Sequence, residues 1–260
     1  RVDLRALEYN KRAIACYHKM RIRAGRDRKR QEAAWMIFFD LDDTLLDFKK
    51  AELNAIKAFY RQFDGRLKRS EEKFVEDWVE IGKVHFNRFL RGELTFEQQK
   101  IERMMDLLSG TDIEITRDHA LDYFGVYLRH FEENWIPFED VVPCLESLKG
   151  CTLGIITNGD PVQQRRKLEK LRIVDYFHVV VASGDIGVSK PDPGIFLEAC
   201  KIAQRKPEQC IMIGDSLETD VWACEKVGMK GVWLNRKNDE RHARTIRSLT
   251  EIHQYLEFGP

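Results

Sequence analysis

The sequence predicts an α/β protein in which a parallel β-sheet carries a large helical insertion between its first two strands. Five short apolar runs each end in a polar turn, and helical stretches separate the last four runs. This alternation is typical of βαβ units, in which parallel strands are joined by helical crossovers. About 100 residues with helical spacing of their apolar side chains separate the first run from the second.

The first apolar run, Met36 to Phe39, stops at acidic residues. An uncharged run of this length is typical of a strand that is buried on both faces, as in a parallel sheet. Ligands of such sheets bind beyond the carboxyl ends of the strands, so the polar residues that follow each run should meet at one edge. The later runs lie in the segments CTLGIITNGD, HVVVASGD, CIMIGDS and KGVWLN.

The insertion contains four segments with helical spacing, and we expect a bundle of four helices within one crossover. Its aromatic stripes indicate the core of this bundle rather than a cofactor site. We expect Thr95 to be the N-cap of the third helix, because Gln98 follows it in the pattern of a capping box. Pro137 and Pro143 mark the return to the sheet.

These patterns divide the chain into three predicted parts. The parts are a basic N-terminal extension of residues 1–35, a core domain of residues 36–47 and 137–260, and a helical cap domain of residues 48–136.

The formal net charge is zero, because 43 lysines and arginines balance 43 aspartates and glutamates. This balance gives no reason to expect a membrane or a nucleic acid as partner. The first 34 residues differ, with 11 basic against 4 acidic residues. A solvated helix or tail is the favoured interpretation of this segment. The alternatives are a basic arm that contacts RNA or an acidic partner, and an extension foreign to a domain that begins near Met36.

The six cysteines include no CxxC pair, and several of them lie inside apolar runs. Buried, reduced thiols of a cytoplasmic protein are therefore expected, and no cluster of His and Cys has the spacing of zinc ligands. No apolar run approaches the roughly 18 residues that are needed to span a bilayer. The N-terminus lacks the apolar stretch of a secretory signal.

Asp40, Asp42 and Asp43 crowd into four residues at the end of the first predicted strand. Three carboxylates so close together repel one another unless a cation lies among them. A hard divalent metal ion, which prefers oxygen ligands, is the natural partner. For the triplet alone, an Asp-rich turn in which one of these residues caps the next helix remains the alternative interpretation.

Other predicted strand ends add groups of complementary chemistry. Asp215 follows one apolar run, with Asp220 five residues further on, and Thr157 and Asn158 follow another run. Lys190 comes shortly after a further run, in SKPDP. We therefore expect this edge of the sheet to offer carboxylates for a metal ion, a hydroxyl and an amide for an anion, and one lysine for charge.

Residues 36–256 resemble the haloacid dehalogenase (HAD) superfamily of phosphohydrolases, whose four motifs occur here in order. The resemblance implies a Rossmann-like core of the HAD fold, and the helical insertion is similar to the C1-type cap of that family. The matches are Asp40-Leu41-Asp42-Asp43-Thr44 to DxDxT, Thr157 in TNG to the second motif, Lys190 in SKPDP to the third, and Gly214-Asp215-Ser216 through Asp220 to the acidic fourth.

The resemblance implies a role for each acidic residue. Asp40 would attack phosphorus and carry the phosphoryl group, while Asp42 would protonate the leaving oxygen and then activate water. The carboxylates of Asp40 and Asp215 and the backbone carbonyl of Asp42 would bind Mg²⁺. Asp220 would bind the same ion directly or orient its waters.

The resemblance also implies that Thr157, Asn158 and Lys190 hold the phosphoryl oxygens of the substrate. Several segments resemble a nucleotidase-like and acylneuraminate-9-phosphatase-like branch of the family. This likeness makes nucleoside 5′-monophosphates or sugar phosphates the leading substrate classes. Phe48, just after the first motif, could stack on a ring of the substrate, or it could be an ordinary packing residue.

The expected function is Mg²⁺-dependent hydrolysis of a small phosphate monoester through a phospho-aspartate, by a monomer or homodimer. Asp42 argues against the dehalogenase branch, whose members displace halide without a proton and lack the second aspartate. A phosphomutase or a phosphonate hydrolase on the same scaffold is the enzymatic alternative. The alternative from another class is a regulatory module that binds RNA through residues 1–34, which the complete catalytic set disfavours.

Overall fold

The structure of the protein, a computed structural model, describes residues 35–237 and 240–256. Within these residues, six strands form a single sheet, and every pair of neighbours is parallel. The strands are β1 (Met36–Phe39), β2 (Thr152–Thr157), β3 (Val179–Ala182), β4 (Cys210–Gly214), β5 (Lys230–Leu234) and β6 (Thr245–Ile246).

The strand order is β3-β2-β1-β4-β5-β6, so the chain winds outward from β1 in both directions. This arrangement confirms the predicted α/β fold with a Rossmann-like parallel sheet. Strands β1 to β5 coincide with the five apolar runs. Strand β6 is absent from the prediction, because a strand of two residues leaves no apolar run in the sequence.

Strand β1 lies in the middle of the sheet, and all four of its residues are fully buried. Phe39 pairs with Ile155 of β2 on one side and with Ile213 of β4 on the other. The next residue, Asp40, donates its backbone N–H to the carbonyl oxygen of Ile213 at 2.8 Å. Two neighbouring strands therefore fix the carboxyl end of β1, and with it the position of Asp40.

Four long helices and one short helix lie between β1 and β2, as the sequence predicts for a helical insertion. The division of the chain into a core domain and a cap domain stays a prediction. These helices are α1 (Phe48–Gln62), α2 (Glu71–Leu90), α3 (Phe96–Leu108), α4 (Arg117–Glu133) and the short α5 (Val141–Ser147).

Buried aromatic rings fill the centre of the four long helices. Phe59 of α1 stacks on Phe74 of α2 with the ring centroids 5.8 Å apart, and the centroid of Trp78 lies 4.4 Å from that of Tyr127 in α4. Burying a side chain of this kind stabilises the folded state by about 1.5–3 kcal/mol. The aromatic stripes are thus the core of the bundle, as expected.

The later helices connect the strands that follow β2. They are α6 (Pro161–Lys170) after β2, α7 (Ser183–Ile186) and α8 (Pro193–Ala203) after β3, and α9 (Ala223–Glu225) after β4. A π-helical turn, Leu217–Trp222, lies between β4 and α9, and a 3₁₀ helix, Leu249–Tyr255, follows β6.

Within residues 35–237 and 240–256, no helix has both the length and the apolar character that crossing a membrane requires. Five cysteines in this part of the chain are free thiols, in line with the expected reduced state. The predictions for the basic segment 1–34, including Cys16, lie outside the described residues.

The start of helix α3 provides a test of the capping prediction. The Oγ1 atom of Thr95 accepts the backbone N–H of Gln98 at 3.0 Å, and the side-chain oxygen of Gln98 accepts the N–H of Thr95 at 2.8 Å. We expect Thr95→Ala to lower the free energy of unfolding by about 1 kcal/mol, because it removes a capping oxygen. Urea denaturation measures this change. The matched control is Thr116→Ala at the start of α4, where the side chain makes no capping bond, and an equal loss there would contradict the assignment.

Candidate active site

Three carboxylates meet at the carboxyl edge of the sheet. Asp40 follows β1, Asp215 follows β4, and Asp220 lies in the π-helical turn after β4. One oxygen from each of them lies within 4.8 Å of the others. Asp40 and Asp220 are buried and Asp215 is half-buried. The structure thus brings together three residues that the sequence predicts as carboxylate ligands of a metal ion.

Lys190 lies among these acids, although it comes from the loop between α7 and α8. Its Nζ donates to Oδ1 of Asp40 and to Oδ1 of Asp220, at 2.6 Å each, and to the carbonyl oxygen of Ile156 at 3.1 Å. Burial by itself would lower the pKa of Lys190, but the two carboxylates raise it above the usual range. The lysine is therefore a fixed positive charge beside the nucleophile that the motif predicts.

One ammonium group does not balance the three clustered carboxylates. Burial raises the pKa of Asp40 to about 8, with repulsion from Asp220 and Asp215 adding to the shift and Lys190 opposing it. Burial likewise raises the pKa of Asp215 to about 6, and Asp220 and Asp43 contribute. Crowded oxygen donors whose negative charge is destabilised in this way fit a hard divalent cation.

Backbone and hydroxyl groups hold the carboxylates in place. The amide of Ser216 donates to Oδ2 of Asp220 at 3.0 Å. Thr44, from the first motif, donates to Asp40 at 3.4 Å and accepts the amide of Asp215 at 3.1 Å. Gly214 is required beside them, because a Cβ at this position would overlap the carboxylate of Asp220. Thr44 therefore links the first and fourth motifs directly.

The carboxylate of Asp42 is not part of the cluster of Asp40, Asp215 and Asp220, and it is bound from helix α6. Lys167 Nζ donates to both of its carboxylate oxygens at 2.7 Å, and Gln164 Nε2 donates to Oδ2 at 3.1 Å. Lys167 is 1% exposed, whereas the side chain of Asp42 is 28% exposed, so only the lysine side of this contact is buried. The backbone carbonyl of Asp42 as a metal ligand stays a prediction.

Lys167 and Gln164 are absent from the sequence prediction. The segment QQRRKLEK reads as a polar helix face, and charged residues on such a face are usually solvated. Their separation of three residues places both side chains on one side of α6, but the sequence does not show that this side faces Asp42.

Thr157 is the last residue of β2 and Asn158 follows it, and both have partners within the protein. Thr157 Oγ1 accepts from Gln164 Nε2 at 2.6 Å. The Asn158 amide binds the backbone of Lys190 in two directions, donating to its carbonyl oxygen at 2.9 Å and accepting its N–H at 2.8 Å. In this structure Asn158 thus orients Lys190, and a direct contact of its amide with the substrate stays a prediction.

A cavity of about 400 Å³ extends from the carboxylates into the helical insertion. Phe48 lines it at the start of α1 and packs edge-to-face on Phe131, with ring centroids 5.2 Å apart. The Nζ atom of Lys167 lies 5.1 Å from the centre of the Phe48 ring. Phe48 is therefore both a packing residue and a wall of the cavity, so the two sequence interpretations are compatible.

The comparisons with known proteins agree with this geometry. A profile of haloacid dehalogenase-like hydrolases matches residues 36–228. Glyceraldehyde 3-phosphate phosphatase of Pyrococcus furiosus is 33% identical over 208 residues, which are 76% of this chain and 80% of that protein. N-acylneuraminate-9-phosphatase of Mus musculus is 28% identical over 77% of this chain and 82% of its own length. Pyrimidine 5′-nucleotidase YjjG of Escherichia coli is 28% identical over 85% and 96%.

A solved structure with the same architecture is that of the HAD-hydrolase YfnB from Bacillus subtilis, bound to magnesium. It superposes with a TM-score of 0.72 at 25% identity, over 86% of this chain and 99% of that one. The resemblance derived from the four motifs is therefore confirmed, and so is the prediction of an enzyme. The chain belongs to the haloacid dehalogenase-like hydrolases.

Proposed function

We propose that the protein is a Mg²⁺-dependent phosphomonoester hydrolase that acts through a phospho-aspartate on Asp40. The observation that carries this proposal is the position of Asp40 at the end of β1. Its carboxylate lies within one cluster with Asp215 and Asp220 and contacts Lys190 at 2.6 Å. A nucleophile, a set of oxygen ligands and a fixed cation are thus available at one place for a phosphoryl group.

Asp40, Asp215 and Asp220 would hold the metal ion, which supplies positive charge that brings the anionic nucleophile and phosphate together. Asp40 would attack phosphorus and become phosphorylated. Lys190 would neutralise the charge of the phosphoryl oxygens during the transfer, with the Thr157 hydroxyl as a further donor. The ion pairs that Lys190 makes with Asp40 and Asp220 already hold its ammonium at this place.

Asp42 would protonate the leaving oxygen and later accept a proton from the water that releases phosphate. These two roles require the carboxyl group to keep one position through both steps. Lys167 and Gln164 supply three hydrogen bonds to it from one helix face. We infer that these two residues orient Asp42 toward the leaving group.

The proposed substrates are small phosphorylated metabolites, either sugar phosphates or nucleoside 5′-monophosphates. The names of the relatives support both classes, since they describe phosphatases of sugar-type phosphates and a nucleotidase. Helices α1 to α4 would act as a cap, because they form the wall of the cavity opposite the carboxylates. A cytoplasmic location agrees with the free thiols of the described cysteines.

The nucleophile is tested by Asp40→Asn, which removes the attacking oxygen while keeping the side-chain shape. We expect phosphate release from a panel of sugar phosphates and nucleotides to fall on the order of 10⁴-fold or more. Mass spectrometry after rapid quenching should find a phosphoryl group on Asp40 in the wild type only. The control is Asp43→Asn, since Asp43 forms an ion pair with the exposed Lys49, and a much smaller loss is expected. Wild-type turnover in Asp40→Asn would contradict the covalent mechanism, and return of the phosphoryl group to the substrate would indicate a mutase.

Metal dependence is tested by removing divalent cations with a chelator and then adding single ions back. We expect phosphate release to stop on chelation, because three crowded carboxylates then repel the phosphate. Added Mg²⁺ should restore the rate. Isothermal titration with Mg²⁺ gives an independent measurement, and Asp215→Asn should weaken this binding. Full activity in the presence of the chelator would contradict the proposed cofactor.

The role of Lys167 is tested by Lys167→Met, which keeps the length of the side chain and removes its charge. We expect kcat/KM for an alkyl phosphate to fall about 10- to 100-fold, because the leaving alkoxide needs a correctly placed acid. The value for para-nitrophenyl phosphate should fall less, since that leaving group departs without a proton. Lys167→Arg should recover part of the loss.

The matched control for this variant is Arg166→Met. Arg166 is the next residue on α6, but its side chain is 60% exposed and pairs with Glu132. We expect it to leave both kcat/KM values close to those of the wild type. If Lys167→Met lowered kcat/KM for the alkyl and the aryl ester by the same factor, Lys167 would stabilise the fold without orienting Asp42.

A further inference from the structure

The cavity contains a charged pair that the proposed chemistry does not use. Arg103 of α3 and Glu52 of α1 both line the cavity that leads to Asp40. Their side chains are 11% and 20% exposed, and the closest approach, from Nη2 of Arg103 to Oε1 of Glu52, is 4.0 Å. This separation is longer than a hydrogen bond. The two groups attract each other, but neither satisfies the hydrogen-bonding capacity of the other.

Aromatic rings flank Arg103 in this position. Its guanidinium carbon lies 5.5 Å from the ring centre of Trp78 and 5.7 Å from that of Phe124, within the range of cation–π contacts. It also packs on the backbone of α2 at Gly82, where an added Cβ would lie 2.5 Å from Nη2. A glycine inside a helix costs about 1 kcal/mol relative to alanine. Gly82 therefore makes helix α2 less stable, but it leaves the space that the guanidinium of Arg103 occupies.

The hydrogen-bonding groups of this pair have no partner among the described residues. Arg103 makes no hydrogen bond to any of residues 35–237 or 240–256, although a guanidinium carries five N–H donors. Burial raises the pKa of Glu52 above its ordinary value, and Arg103 opposes that shift. No polar atom of either side chain is among the buried unsatisfied atoms of the described residues, so these groups are accessible from the cavity. A ligand in the cavity can therefore form hydrogen bonds with both.

The chemistry of the pair indicates hydroxyl groups as that ligand. A hydroxyl both donates and accepts, so of two neighbouring hydroxyls one can donate to Glu52 while the other accepts from Arg103. The opposite charges of the pair nearly cancel, so the pair itself gives a second carboxylate or phosphate no net attraction. A leaving group without polar atoms would leave both side chains unsatisfied. We propose that Glu52 and Arg103 bind vicinal hydroxyls of the leaving group and thereby select phosphate esters of sugars or ribonucleosides.

This inference rests on the proposed phosphomonoesterase function and is tested first on the wild-type protein. One pair of esters is a hexose 6-phosphate and cyclohexylmethyl phosphate, which share a six-membered ring and differ in the hydroxyls. The other pair is a ribonucleoside monophosphate and its dideoxy analogue. We expect kcat/KM to favour the hydroxylated member of at least one pair by about 100-fold or more, because a site built for hydroxyls rejects an analogue that lacks them. The pair that shows the preference identifies sugars or ribonucleosides as the source of the hydroxyls.

Variants then assign the preference to these residues. Arg103→Met should lower kcat/KM for the preferred hydroxylated ester about 10- to 100-fold, as expected for loss of a hydrogen bond from a charged group. For the ester without hydroxyls, the factor by which Arg103→Met lowers kcat/KM should be about tenfold smaller. Arg103→Lys should keep part of the preference, and Gly82→Ala, which displaces the guanidinium, should reduce it. The matched control is Arg117→Met in α4, whose side chain is 60% exposed and pairs with Glu102, and we expect it to behave as wild type.

Three outcomes would overturn the inference. The wild type could hydrolyse both members of each pair equally well. Arg103→Met could lower kcat/KM by the same factor for the ester with hydroxyls and the ester without them. The wild type could also prefer phosphoglycolate, an ester with a carboxylate and no vicinal hydroxyls. Hydrolysis of para-nitrophenyl phosphate separates these results from failure of the proposed function. If the aryl ester is hydrolysed without any hydroxyl preference, only the inference is wrong, whereas absence of all phosphate release would remove both.

Discussion

The structure depends on one buried lysine that holds together carboxylates which would otherwise repel one another. Lys190 contacts Asp40 and Asp220 at 2.6 Å each, and Asp215 belongs to the same cluster. The charges do not balance, and burial with mutual repulsion raises the pKa of Asp40 to about 8. Removing one partner of a buried ion pair costs about 3–5 kcal/mol, because the remaining charge is left uncompensated. The arrangement needed for phosphoryl transfer is thus also a constraint on the stability of the sheet edge.

Several local features of the chain serve this constraint. The Asn158 amide binds the backbone of Lys190 on both sides, so the loop between α7 and α8 holds the lysine in one place. Gly214 leaves the space that the Asp220 carboxylate occupies. The π-helical turn that carries Asp220 adds an irregular backbone at the point where the carboxylate must turn inward. These features explain why polar residues and a glycine occur at the carboxyl ends of apolar strands here.

The sequence predicts the sheet well, and it places polar residues at the carboxyl ends of the strands, for a physical reason. Parallel strands bring their carboxyl ends to one edge, so the positions of Asp40 and Asp215 follow from the strand pattern, whereas Lys190 lies beyond α7. Lys167 and Arg103 follow no such rule, because the partner of a helix side chain depends on how the helices pack. The sequence does not show which residues the polar face of α6 contacts, because this depends on how the sheet and α1 pack against it. Strand β6 escapes prediction for another reason, since two residues are too few for a pattern.

The groups assigned to chemistry and to selection lie on different parts of the chain. The chemical groups follow the strands, whereas Glu52 and Arg103 belong to helices of the insertion. Lys167 contacts both parts, since its Nζ lies 2.7 Å from Asp42 and 5.1 Å from the ring centre of Phe48 at the start of α1. A shift of α1 against the sheet would change the surroundings of the ammonium that holds Asp42. The placement of the acid is therefore coupled to the position of the insertion, while the strand-end carboxylates are fixed by the sheet itself.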